Sequence, residues 1–389
     1  MLHPTGDAQA VVLTVKGENF AIKVNLTPTP FPGQLAGLPK SENGTDFVFS
    51  ARVVFNPALL TLLPGFTLMK TKALITLLSD GQVHSGEALA GLLGVSRTAV
   101  WKQVRRAMDE GFKIETIRGR GYQLVSRVDL LDPDLILGGL APELRARLAL
   151  RVLDEVDSTN AEVLRQISKD GEGLPVSVAD CQTAGRGRRG RSWISPRGEN
   201  LYLSMGLTFH GGFAVLDGLS LVLGVAVANA LEQLGASEIG LKWPNDVFLP
   251  HGKLGGILVE LQGELQEGVV QVVAGIGINV HMSDLEGADQ PWSSLATAFP
   301  GLEWSRNRIA GAIITAVVDA ARLFSDQGFR DFREPWQKRD IFLGKQVEAR
   351  GGEIKGTGSG IDENGNYLLR TEREVIPVRA GEISLRVTS

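Results

Sequence analysis

The heptapeptide Gly185–Arg191 reads GRGRRGR: Arg186, Arg188, Arg189 and Arg191 are interleaved with Gly185, Gly187 and Gly190. A guanidinium is a rigid fork of donors suited to phosphate or carboxylate. Glycine lets the backbone come close to a ligand. Together they make a mobile cationic loop able to close over an anion. Taken alone, a basic run is equally at home in solvent or on nucleic acid. Its neighbours favour the anion, because Trp193 closes the run and further polar motifs come after it inside apolar sequence.

Those motifs need elements to hold them. Asp157-Ser158-Thr159-Asn160 lies between a strand expected at Leu150–Glu155 and a helix expected at Ala161–Ile167. Thr159 with Glu162 fits a capping box, and the same helix start can grip a small polar ligand. Leu201–Leu207 reads as a strand and Gly218–Leu234 as a long apolar helix. Lys242-Trp243-Pro244-Asn245-Asp246 reads as an edge-strand turn. Lys253 opens an apolar strand backed by Gly255 and Gly256. Val269–Val280 is another strand, in which Gly275 and Gly277 share one face ahead of Asn279. Glycines on one face leave room for a flat ligand or for close packing by a neighbouring helix. Ala310–Phe324 and Phe329–Arg339 read as helices.

The chain has 389 residues, 43% hydrophobic, which suits several domains with sizeable cores. A single cysteine, Cys181, excludes an internal disulfide framework and suits a reducing compartment. The longest apolar run, Leu219–Leu231, is broken by Ser220, Gly224 and Asn229, so no membrane segment is expected and the location expected is cytoplasmic. The net charge of −4 hides an asymmetry: Met69–Arg127 carries ten Lys/Arg against five Asp/Glu, a net +5. A basic segment on an acidic body points to a nucleic-acid module.

That segment has helical periodicity. Leu74, Leu77 and Leu78 form one face. Ser85 is placed to cap Gly86–Leu93, with Gly94 as the stop, and Ser96 to cap Arg97–Glu110. Val100, Val104 and Met108 are the expected buried stripe, leaving Arg97, Thr98, Trp101, Lys102 and Arg105 outward. Two short strands then flank Arg118-Gly119-Arg120-Gly121. The outline is a winged helix-turn-helix, with a small protein-interaction module as the other reading. Residues 1–68 carry no motif. Val11–Val15 and Ala21–Leu26 read as short strands, but Pro28, Pro30, Pro32, Gly33, Gly37 and Pro39 break any continuation, so a disordered extension or a misassigned start is expected. From Gly344 the texture is short strands (Gln346–Ala349, Tyr367–Arg370, Val375–Val378, Ile383–Val387), read as a small β-barrel or sheet.

Taken together, DSTN at Asp157–Asn160, GRGRRGR, KWPND at Lys242–Asp246, KLGGILVE at Lys253–Glu260 and GEISLR at Gly381–Arg386 resemble the bifunctional bacterial biotin–protein ligase and biotin operon repressor. SGEALAGLLGVSRTAV at Ser85–Val100 and the Gly119–Tyr122 tip resemble its winged DNA-binding domain. The resemblance runs from about Met69 to Val387 in uniform order. It implies an α+β protein: an extension at 1–68, a winged helix-turn-helix at 69–127, a class II synthetase-like biotin ligase core at 128–340 and an SH3-like C-terminal β-barrel at 341–389.

The implied reaction joins biotin and MgATP to biotinyl-5′-AMP, then passes the acyl group to a lysine of the biotin carboxyl carrier domain of acetyl-CoA carboxylase. Lys253 and Arg188 are implied as catalytic. Ser158, Thr159, Asn160, Gln182, Gly185, Arg186, Arg188 and Lys253 are implied to hold biotin, with Trp193, Leu258, Gly275, Gly277 and Ile278 walling its apolar body. Arg188, Arg191, Lys242, Asn245, Asp246, Lys253, Asn279, Trp292 and Arg386 are implied for ATP, with Asp246 toward Mg2+. Arg97, Thr98, Lys102, Arg105, Arg118 and Arg120 are the DNA set. Cys181 stands where an aromatic is common, and Ala380 replaces the first glycine of the C-terminal motif. The expected partners are the carrier domain, operator DNA and, with biotinyl-AMP bound, a second copy of the chain. The other readings are a ligase whose winged helix no longer regulates, and a non-catalytic biotin-sensing repressor. Lipoate–protein ligase is a distant relative with the same core.

Overall fold

The computed structural model describes the chain except residues 1–8, 16–17, 27–50, 53–63, 126–128, 168–172, 213–215, 267, 285–289, 350–352, 380–385 and 388–389. It divides into two compact units, Met1–Lys72 and Ala73–Ser389. In the first, β1 (Gln9–Val15) and β2 (Glu18–Leu26) pair antiparallel, and β3 (Ala51–Arg52) joins β2. The short strands expected at Val11–Val15 and Ala21–Leu26 fall within β1 and β2. Helix α1 (Pro64–Leu78) starts five residues ahead of Met69.

Local chemistry accounts for the winged helix. Ser85 Oγ accepts the Ala88 N–H at the start of α2 (Gly86–Leu93), and Gly94 ends it in the left-handed conformation at φ 63°. Ser96 caps α3 (Arg97–Asp109) in the same way. Val100, Val104 and Ala107 bury fully or nearly so, whereas Met108 is 40% exposed. Residue 107 completes the i, i+4, i+7 stripe, while 108 lies about 100° further round the helix. Leu74, Ile75, Leu78 and Leu89 close this small core with β4 (Ile114–Ile117) and β5 (Gly121–Leu124), an antiparallel wing turning at Arg118–Arg120.

After α4 (Pro133–Gly138) and α5 (Pro142–Arg147) comes a seven-stranded sheet. Its strands are β6 (Leu148–Leu153), β7 (Leu174–Ala179), β8 (Asn200–His210), β9 (Gly240–Lys242), β10 (Asp246–Leu249), β11 (Gly252–Gln266) and β12 (Val269–Asn279), in the order β6-β7-β8-β12-β11-β10-β9. Only β6 and β7 run parallel, joined through α6 (Thr159–Ile167). Strand β7 has no counterpart among the strands expected from the sequence. Helix α7 (Leu219–Gln233) is buried nearly all round, packed against α9 (Arg306–Gln327), α10 (Arg330–Gln337) and the sheet; the short α8 (Leu295–Ala298) precedes α9. Among the described residues, no helix is long and apolar enough to cross a membrane.

The expected capping box at α6 does not form. The helix already begins at Thr159, and Glu162 turns to Arg151 (2.5 Å) and Arg165 (2.8 Å). At the C-terminus β13 (Gln346–Ala349), β14 (Ile354–Ile361), β15 (Tyr367–Arg370), β16 (Val375–Val378) and β17 (Arg386–Val387) form an antiparallel sheet. Its order over the described residues is β16-β15-β14-β13-β17. Strand β14 is an addition to the expected set, and residues 380–385, most of GEISLR, lie outside the described residues.

Candidate active site

The arginine loop is a tight hairpin. Trp193 N–H donates to Gly185 C=O at 2.9 Å and Gly187 N–H to Arg191 C=O at 2.7 Å, with a single 3-10 turn at Arg188–Gly190. A Cβ on Gly185 would meet the Trp193 carbonyl at 2.5 Å, so this crossing needs glycine. The turn separates the four cations. Arg186 pairs with Glu260 at 2.9 Å, and Arg188 donates to Asn245 Oδ1 at 3.0 Å. Arg189 and Arg191 are exposed. Burial pulls the Arg188 guanidinium below its usual range, neighbouring Arg189 adds to this, and Asp246 opposes it. An anion arriving here relieves that stress.

Beside the loop, a ladder of polar groups is buried against the sheet. Gln182 Oε1 accepts the Thr159 N–H at 2.9 Å, and Thr159 Oγ1 lies 3.1 Å from the same oxygen. Ser204 Oγ lies 2.7 Å from Thr159 Oγ1 and 2.6 Å from Asn160 Oδ1. Its single proton serves the amide oxygen, which can only accept. Asn160 Nδ2 then donates to Glu260 at 2.7 Å, and Glu260 accepts Arg186. One chain of bonds therefore runs from the α6 start through β8 to the arginine loop. Ser158, Thr159 and Asn160 are all nearly fully buried. Asp157 holds the preceding turn: its carboxylate accepts the Ser158 N–H at 2.8 Å, and the bond from Arg165 does most to draw its pKa down to about 2.

Across the sheet lies the charged end. Lys253 Nζ sits 2.8 Å from Asp246 Oδ1 and 5.4 Å from the Trp193 ring centroid. Gly256 makes room for all three, since a Cβ there would stand 3.3–3.5 Å from Trp193, Asp246 and Lys253. A Cβ on Gly277 would meet the indole at 2.7 Å, and one on Gly275 would overlap Asn160. The space beside these glycines is therefore filled by the chain's own Trp193 and Asn160. Leu258 is on this face, opposite Gly275.

Several expected residues have other employment. Ile278 is fully buried on the opposite face, because its neighbour Gly277 takes the Trp193 side, and only its backbone borders the site. Lys242 Nζ lies over the Phe248 and Phe342 rings at 5.3 and 5.7 Å. Asn279 Nδ2 donates to the Ser293 carbonyl at 3.0 Å and the Lys253 carbonyl at 3.3 Å, clamping residues 291–293 to the start of β11. Trp292 is brought beside Lys253 by that bridge. Asn245 Nδ2 donates to Ile257 C=O at 2.6 Å, so Asn245 ties Arg188 to the sheet. For Arg386 the backbone position alone is described, opposite Glu348.

The described residues hold no cluster of three or more His, Cys, Asp or Glu groups able to take a metal. Asp246 supplies one carboxylate. Mg2+ prefers an octahedral oxygen set and commonly takes most of it from phosphate and water, so Asp246 fits such an ion only with a nucleotide present. Glu260, Ser204 and Ser195, whose Oγ accepts Gln182 Nε2 at 3.1 Å, join the site without having been expected there. The signal for Ser204 is a lone serine inside the apolar run NLYLSMGL; Glu260 closes KLGGILVE but resembles an ordinary strand end. In the winged helix, Arg97, Thr98, Lys102 and Arg105 are exposed on α3 and Arg118 and Arg120 at the wing tip. Arg105 stacks over Trp101 at 5.5 Å.

Three family models match: the biotin/lipoate A/B protein ligase family over residues 152–279, an HTH domain over 70–123, and the biotin protein ligase C terminal domain over 342–386. The chain is 41% identical over 317 residues to the bifunctional ligase/repressor BirA of Escherichia coli, covering 80% of this chain and 96% of that protein. It is 31% identical over 323 residues to the Bacillus subtilis protein of the same name, covering 81% and 98%. Among solved structures, biotin protein ligase from Aquifex aeolicus in complex with biotin and ATP matches at 33% identity and a TM-score of 0.53, covering 61% of this chain and 99% of that one. A winged helix, an arginine hairpin and a lysine–aspartate pair on a glycine-lined sheet thus occur together in a chain that belongs to the biotin protein ligase family, in its bifunctional ligase/repressor group.

Proposed function

We propose that the protein is an ATP-dependent biotin–protein ligase that also represses transcription when it carries biotinyl-5′-AMP. The observation that carries the ligase reading is the convergence of Arg188, Lys253 and Asp246 beside Trp193, one strand away from the buried Gln182–Thr159–Asn160 ladder. The ladder suits a ureido ring, which needs donors and acceptors together, and the indole suits the apolar body of biotin. In the first step a biotin carboxylate oxygen attacks the α-phosphorus of ATP, and the bond to pyrophosphate breaks. Two anions must meet, and fixed cations lower that cost without being consumed. Lys253 bridges the carboxylate and α-phosphate; Arg188, held by Asn245, takes phosphate oxygens. Arg191, Asn279, Trp292 and Arg386 complete the nucleotide side; Asp246 would hold a Mg2+ ion, which would offset phosphate charge. In the second step a lysine amine of the carrier domain attacks the acyl carbon, and AMP leaves with the bonding electrons.

For repression, the α3 cations and the wing arginines contact operator DNA, and two modules on a dimer read a palindrome. Strand β10 covers only Gly252–Gly256 of β11 and Asn245 takes both backbone groups of Ile257, leaving the edge beyond Ile257 for a second copy or for the carrier domain. The C-terminal sheet is assigned as an SH3-like barrel, the core as class II synthetase-like, with boundaries at 69–127, 128–340 and 341–389. Residues 1–68 take no part in the reaction, and the site of action is the cytoplasm. The test is incubation with biotin, MgATP and a carrier domain, followed by mass spectrometry for one biotinylated lysine. A folded protein that leaves the carrier unmodified overturns the reading.

A further inference from the structure

Arg306 is fully buried, and it joins segments that none of the ligase chemistry above uses. It opens α9. Its Nη2 lies 2.7 Å from Asp180 Oδ1, and its Nη1 donates to Asn200 C=O at 3.2 Å. The same guanidinium donates from Nε to the Asp129 carbonyl at 3.0 Å, and the Arg306 backbone N–H donates to the Asp129 carboxylate. Asp129 lies in the connector between β5 and α4. Asn307 adds two more bonds to that connector, accepting the Asp132 N–H and donating to Leu130 C=O, each at 2.8 Å. A buried guanidinium is costly to leave unpaired, so the segment leading from the winged helix is fixed by charge as well as packing.

The joint touches both walls of the pocket. His281 Nε2 lies 3.1 Å from Asp129 Oδ2, and two residues earlier Asn279 clamps the Lys253 and Ser293 carbonyls. Asp180, the second carboxylate on Arg306, stands two residues before Gln182, which receives Thr159. Asn200, whose carbonyl meets Arg306, also accepts the Val280 N–H at 3.0 Å, fastening the β12 exit to the same cluster. A path of hydrogen bonds and the short backbone step from Asn279 to His281 therefore connects Lys253 and Ser293 to Asp129.

We propose that Asp129, Arg306 and His281 are positioning residues that couple the occupied ligase pocket to the winged helix. When the adenylate orders the walls at Asn279 and Gln182, His281 and Arg306 hold Asp129 and fix the DNA-binding module; with the pocket empty, the connector is held less firmly. This rests on the reading of the winged helix as a ligand-controlled DNA-binding module. The coupling is a difference between two ligand states, so it must be measured as a ratio.

The full chain, Asp129→Asn and His281→Ala are compared by melting temperature, carrier biotinylation, and affinity for a duplex selected by the wild-type protein from a random pool in the presence of biotinyl-AMP. Couplings of this kind are about 5–150-fold. In the variants the gain in DNA affinity on adding biotinyl-AMP falls at least about fivefold, while biotinylation stays within about twofold. A merely structural role lowers affinity equally with and without ligand, leaves the gain unchanged, and overturns the proposal. In parallel, hydrogen exchange at Leu130–Asp132 slows when biotinyl-AMP is added to the wild-type protein and does not slow in His281→Ala. No change in the wild-type exchange overturns the proposal too. If the wild-type protein binds no DNA in either state, the repressor reading fails instead, and the exchange result still decides the joint.

Discussion

Replacing Lys253 by alanine removes a charge held 2.8 Å from Asp246 in a setting where the two side chains are only 16% and 20% exposed. Solvent screening there is limited. A unit charge about 4 Å from an anion, at an effective dielectric of about 20, contributes roughly 4 kcal/mol. In adenylate formation Lys253 faces two converging anions, so losing even half of that interaction slows the step by about thirtyfold, and losing all of it by about a thousandfold. Arg188 and Arg191 remain, which places the expected loss between these limits. Transfer from preformed biotinyl-AMP joins a neutral amine to a carbonyl and leaves Lys253 less to do, so the loss there stays under about tenfold. Pyrophosphate release reports the first step, and synthetic biotinyl-AMP with a carrier domain reports the second. Equal losses in the two half-reactions, or none in either, would refute the role given to Lys253.

The other substitutions probe separate parts of the site and fold. Arg188→Gly removes the bond to Asn245 and a charge-assisted phosphate contact, so biotinyl-AMP should dissociate about ten- to a hundredfold faster and acylate unrelated proteins; unchanged dissociation would count against it. Gly277→Ala sets a methyl 2.7 Å from the Trp193 indole, and displacement of the ring should raise the KM for biotin by roughly tenfold, with little effect on the melting temperature. Asp340 is pushed up to about 6, chiefly by burial, while the Phe342 N–H and the Tyr367 hydroxyl pull the other way. The folded state thus favours its protonated form, and this contribution to stability is complete below about pH 4 and lost as pH rises through 6. About two pKa units correspond to roughly 3 kcal/mol, reduced to about 1–2 kcal/mol for partial exposure. Asp340→Asn should therefore be more stable than wild type at pH 8 by that amount, and the gap should close toward pH 4. Urea unfolding across this range would show it, and a gap independent of pH would contradict it.

What the sequence determined by itself was whatever a few neighbouring residues settle among themselves. Ser85 and Ser96 bond amides three residues ahead, and Gly94 accepts the left-handed stop, so the winged helix was legible in order, though Ala107 and not Met108 completes the α3 stripe. The motif strings likewise set Arg188 in a loop and Lys253 at the opening of a strand, where the structure has them. The tertiary structure decided which partners those side chains meet. Glu260 and Ser204 join the ladder because β8, β11 and β12 lie side by side, a pairing of residues up to 100 positions apart. Ile278 turns away from the site while Gly277 faces it, because a strand alternates its sides and only the packed sheet fixes which side is the pocket. The glycine face that looked open is filled by Trp193 and Asn160, a matter of volumes arriving from distant segments. Arg306 gave no signal at all: one arginine at a helix start becomes a buried joint only when Asp129, Asp180 and Asn200 converge on it, and that convergence exists only in the folded chain.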